Sequence, residues 1–209
     1  MKLQRLAGYG PTAAFVSAGS LLVFFVLGSM APVLVKVFPY VLLAIVFVLA
    51  LWLWVAALAV VVFDLEWIEH PATSTRWFLV GRWATLLAMV MPIVLGLFAL
   101  TNAGVAELAP TYFLLYGSVG LSLLIHNLDA RRAGILRGAL PWIGTATAVF
   151  YLLAAIGYAI FAFGGPFAIG WNSLQPAVLL YLVWAIWLGV HLLRSKAPAP
   201  AAPAASAAH

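Results

Sequence analysis

The residues best suited to metal or haem chemistry are the four histidines, His70, His126, His191 and His209, because the chain contains no cysteine. Thiolate ligands, iron–sulfur clusters and disulfides are thereby excluded. His126 and His191 stand near the ends of two long apolar stretches, and counting residues puts them at similar depth on one side of a bundle. Two neutral imidazoles so placed have the chemistry of axial haem ligands. Gly120 and Gly189 would let a macrocycle approach, and Arg131, Arg132 and Arg194 lie on the side where propionates would emerge. A haem b, or a metal ion, held by His126 and His191 is the cofactor reading. Its alternative is a pair of ordinary interfacial histidines.

Two further groups have ligand chemistry. Glu66, Glu69 and His70 fall within five consecutive residues; Glu66 and His70 are four apart and would share a helix face. Carboxylate-bridged di-iron bundles use Glu-x-x-His twice. Here the spacing is Glu-x-x-x-His and occurs once, so the other reading is a solvated loop. Trp171, Asn172 and Gln175 join an aromatic ring to two amides, which suits a small, partly apolar ligand.

Enzymatic constellations fail on spacing. Ser118, in Tyr116-Gly117-Ser118, is expected near the opposite end of the membrane from His191, so no nucleophile–base pair forms. Asp129 lacks the companion carboxylates of a metal-dependent transferase, and no phosphate-binding glycine loop is present. No apolar stretch carries Asp, Glu or Lys at its centre, leaving nothing for a proton relay. The chain reads as non-catalytic.

The elements that must position these residues follow from composition. Residues are 67% apolar and 7% charged, against about a quarter charged in soluble domains. Water cannot be the solvent for most of this surface. The net charge of +5 makes no basic stripe, and nucleic acid is excluded as a partner. Runs of about 20 apolar residues cross a hydrocarbon layer of about 30 Å. Six such runs are predicted at 12–35, 39–63, 77–100, 111–126, 140–163 and 174–193. They are continuously apolar rather than alternating, which selects helices over barrel strands. Lys2 and Arg5 precede the first run, which exceeds a signal-peptide core and is expected to remain as a span. The expected fold is therefore all-α: one polytopic six-helix membrane domain over 1–196, then a disordered Pro/Ala-rich tail over 197–209.

Orientation comes from the cations. Lys2, Arg5, Arg76, Arg82, Arg131, Arg132, Arg137, Arg194 and Lys196 fall on the side of the amino end, and Lys36 alone falls opposite. Positive charge marks the cytoplasmic side, so both termini are expected in the cytoplasm and the bilayer is expected to be the cell membrane. Ala14, Ser17 and Ala18 form a small-residue stripe that admits a close helix neighbour. The functional expectation is an integral membrane protein that binds or passes a small molecule, or serves as the membrane subunit of a larger complex with partner subunits. The second expectation is a haem- or metal-binding subunit of an electron-transfer complex using His126 and His191.

Overall fold

The computed structural model describes residues 9–34, 36–69, 76–99 and 105–195. Six helices account for nearly all of them: α1 (Gly10–Leu34), α2 (Tyr40–Glu69), α3 (Arg76–Ala99), α4 (Val105–Arg132), α5 (Leu140–Ala162) and α6 (Ala168–Ser195). Among the described residues there is no strand. The shortest helix has 23 residues, about 35 Å at 1.5 Å per residue, and all six are long and apolar enough to cross a membrane. The chain thus has the build of a multi-pass integral membrane protein. The proposed tail over 197–209, His70 and His209 lie outside the described residues.

The helices exceed the apolar runs where polar residues continue them. The run at 111–126 marks only the middle of α4, whose 28 residues begin in sequence expected to be loop. Glu107 stands in its first turn, and Arg131 and Arg132 in its last. Each sign favours the helix end where it sits. Pro110, expected to close the preceding loop, lies inside α4; so near the start it forfeits a single backbone bond. Likewise α2 runs through 64–69 rather than ending at Phe63, and α6 begins at Ala168 rather than at 174.

Each helix runs antiparallel to the one before it. Asp64 near the end of α2 lies against Gly10 at the start of α1, His126 of α4 lies against Gly81 of α3, and Phe15 of α1 lies against Gly189 of α6. These residues mark one end of the bundle, here called the first end. In the far half, Gly157 of α5 meets the backbone of Gly170 of α6. Every helix adjoins its neighbours in sequence, and α6 returns to α1, so the six form a closed ring; α2 also leans inward to touch α4. The backbones of α4 and α6 do not come close to each other.

The distribution of side chains is that of a protein in lipid. Leu22, Leu49, Ile93, Leu97, Leu179 and Val183 face outward, while Ser17, Ser122, His126, Asn127 and Thr147 are buried. Trp77, Trp83 and Trp142, all near the first end, are exposed, as rings at a headgroup layer would be. The small-residue stripe of α1 faces inward: Ala14, Ser17 and Ala18 are buried.

Without a hydrophobic drive between helices in lipid, close backbone approach supplies much of the packing. The α5–α6 contact depends on it, since a Cβ at Gly157 would stand 2.8 Å from the Ile169 carbonyl carbon. Gly157→Leu is expected to lower stability by about 1–3 kcal/mol, the usual cost of overpacking. Gly19→Leu, where nothing lies within 4 Å, is expected to stay within about 0.5 kcal/mol of the parent. Detergent unfolding curves of the two variants check both.

Candidate functional site

Inside the ring the helices present aromatic residues that also carry polar groups. Tyr112 and Tyr116 are one turn apart on α4, Tyr151 and Tyr158 two turns apart on α5, and Tyr181 and Trp184 three residues apart on α6. Such spacings align side chains on one helix face. Trp54 joins them from α2, the helix that leans inward.

The rings form a column along the bundle axis. Towards the far end, Phe167 lies 5.9 Å from Tyr158 between centroids, and Tyr158 lies 5.1 Å from Tyr112 and 5.5 Å from Tyr116. Tyr116 stacks at 6.0 Å on Tyr151. In the middle, Trp54 is 5.8 Å from both Tyr151 and Tyr181, edge-on to the latter. Towards the first end, Tyr181 passes the column to Trp184 at 5.6 Å. Edge and offset contacts at these separations are the favoured aromatic geometries, each contributing about 0.5–1.5 kcal/mol beyond burial.

Two hydrogen-bond systems fix the column. The Tyr181 hydroxyl pairs with Ser17 Oγ, and Ser17 Oγ donates to the Trp54 carbonyl at 3.2 Å, tying α6, α1 and α2 together. Below them Trp184 Nε1 donates to Asn127 Oδ1 at 2.9 Å, and Asn127 Nδ2 donates to the Leu123 carbonyl at 2.8 Å. A Cβ at Gly144 would collide with this amide and indole, so α5 seats directly upon the pair. One polar atom stands apart from these systems. Tyr151 Oη is fully buried and has no hydrogen-bond partner, whereas the Trp54 indole faces the Tyr181 hydroxyl.

The residues singled out by sequence are placed separately. His126 is buried and its Nδ1 donates to the Ser122 carbonyl of its own helix at 2.7 Å. Nearby, the Thr85 and Ser122 hydroxyls meet at 2.6 Å between α3 and α4. His191 Nε2 instead donates to the Ile135 carbonyl, in the turn after α4, at 3.2 Å. Each imidazole thus meets a different carbonyl, one within α4 and one in the turn after it. Glu66 and Glu69 lie in the last turns of α2 rather than in a loop, while their partner His70 falls outside the described residues. Among the described residues no three His, Asp or Glu side chains gather as a metal site. Trp171 is half-buried, stacked on Phe25 at 6.0 Å and Phe167 at 6.3 Å; Asn172 and Gln175 are exposed. Asp64, expected in a loop, is buried in α2 against the first turn of α1, where the positive end of the helix dipole favours a carboxylate.

The column itself was not foreseen. The available signal was tyrosine in mid-span: Tyr116, Tyr151 and Tyr181 each fall near the middle of a helix, where a phenol needs a reason to leave water. Compared with protein-family models, curated proteins and solved structures, the chain matches none.

The Asn127–Trp184 bond is open to a double-mutant cycle. Asn127→Leu and Trp184→Phe are expected to couple by about 0.6 kcal/mol, and at most about 1.7 kcal/mol, the range for hydrogen bonds between membrane helices. Unfolding free energies of the two single variants and the double variant measure it, and additivity would show that the bond contributes nothing.

Proposed function

We propose that this chain is a cell-membrane protein with both ends in the cytoplasm that binds a small molecule inside its helical ring. The observation that carries the reading is the unpartnered Tyr151 Oη, buried among aromatic faces at mid-bundle. An unmade hydrogen bond in such a place costs about 1–3 kcal/mol per group. A ligand with an oxygen or nitrogen acceptor would remove that cost. The surrounding rings favour a molecule that is otherwise flat or apolar.

Binding fits better than passage. At the far end the column reaches partly exposed rings, Tyr112 and Phe167. At the first end it stops on the packed Asn127–Trp184 pair, with Gly144 pressed against it. The cytoplasmic assignment of the first end is supported by the cation count along the sequence, nine Lys and Arg to one in its favour.

Both parts are testable. Small molecules extracted from the purified full chain are expected to include a species bearing an acceptor, recovered about tenfold less from the Tyr151→Phe variant. Equal recovery from the two proteins, or none from either, would refute binding. A chain without cysteine also permits single-cysteine labelling. Phe163→Cys, at the far-end turn, should react with an impermeant maleimide in intact cells, and Ala133→Cys only after lysis; the reverse pattern would invert the orientation.

A further inference from the structure

We infer that the turn between α4 and α5 is a binding site for the headgroup of an anionic phospholipid, built from Arg131, Arg137 and Trp142. This inference rests on the proposed membrane embedding, with the first end cytoplasmic. Arg131 stands in the last turn of α4, and its guanidinium carbon lies 4.0 Å from the centroid of the Trp142 ring. That ring, in the first turn of α5, is 56% exposed. Stacking occupies the guanidinium's face and leaves its N–H edges free to donate in plane. Arg137 is exposed, and its Nε donates to the Gly134 carbonyl at 3.0 Å, which fixes the root of the fork. Arg132, between them in sequence, is paired with Asp129 at 3.2 Å. Among the described residues no carboxylate pairs with Arg131 or Arg137.

The seat is held before any ligand arrives. The Ile135 and Leu136 amides both donate to the Ala130 carbonyl, at 3.0 and 3.2 Å. Leu136 is buried, and the Ile135 carbonyl receives His191 Nε2 from α6. Little chain ordering therefore remains to oppose binding. The depth selects the ligand. An exposed tryptophan one turn inside an apolar span lies where hydrocarbon meets headgroups, and the guanidinium stacked on it lies at the level of lipid phosphates. Anionic lipids supply negative charge on the cytoplasmic leaflet. A soluble acidic peptide would meet the arginines without needing the ring.

Native mass spectrometry of the full chain, released from micelles containing equal phosphatidylglycerol and phosphatidylcholine, tests the site. The wild type is expected to retain phosphatidylglycerol preferentially. The preference should fall about fivefold in R131Q and further, towards parity, in R131Q/R137Q, since each interfacial arginine contributes about that factor. R132Q, an equal change of charge at the residue paired with Asp129, should keep most of the preference. A preference undiminished in R131Q/R137Q, or lost as fully in R132Q, would overturn the inference. Trp142→Leu alters no charge and is also expected to weaken the preference, so the site remains testable if the double variant misfolds; an unchanged preference there counts against it. Binding of an acidic decapeptide in phosphatidylcholine nanodiscs, without phosphatidylglycerol selectivity, would make the turn a protein contact and overturn the lipid site. Release of the protein from membranes by alkaline carbonate would instead overturn the six-span reading itself.

Discussion

Hydrocarbon neither donates nor accepts a hydrogen bond, so between the two ends of this bundle each polar group must find its partner in protein. Helices satisfy the backbone internally. Short hydroxyl side chains use the same device, turning back to the carbonyl four residues earlier. Ser20 bonds Val16, Ser29 bonds Phe25, Thr85 bonds Gly81, Thr145 bonds Pro141, Thr147 bonds Ile143 and Ser173 bonds Ile169. A phenol or an indole cannot do this, because its polar atom stands at the far side of a rigid ring. Trp184 and Tyr181 are therefore satisfied by other helices, through Asn127 and Ser17. Tyr151 is the ring for which no neighbour serves.

The closed ring is what brings these side chains to one axis. Sequential antiparallel neighbours need only short connections, and the return of α6 to α1 places Ser17 beside Tyr181 across 164 residues of sequence. Bringing α2 inward fills the middle with Trp54, whose ring meets α5 and α6 at once. Glycine governs how close the walls stand: where Gly157 meets Gly170, two backbones touch and the rings of the upper column are drawn together. The aromatic contacts, the interhelical bonds and the glycine seams are thus parts of one packing arrangement.

Hydropathy made the six helices legible, because a run of some 20 apolar residues has few alternatives. It made their ends less legible. The helical pattern continues through Asp64, Glu107 and Arg131, residues that lower hydropathy without ending a helix. Azimuth was least legible of all. These helices are apolar nearly all round, so no polar stripe distinguishes the inner face. Trp52 and Trp54 are alike in type and depth, yet Trp52 faces outward and Trp54 is wholly buried. The histidines show the same limit: counting gave similar depths for His126 and His191, but only packing decides that one meets α3 and the other the turn after α4.

The Tyr151 hydroxyl bears on stability and function together. Phenylalanine at 151 could keep much of the aromatic packing while removing a polar atom from the interior. Burying that atom without a partner costs about 1–3 kcal/mol, a sizeable part of the roughly 5–15 kcal/mol by which folded domains exceed their unfolded chains. A fold optimised for packing alone would not place a phenol O–H there. The neighbouring Ser17–Tyr181 and Asn127–Trp184 pairs show that this bundle can satisfy such groups. Their contrast with Tyr151 is the physical ground on which the proposed ligand rests.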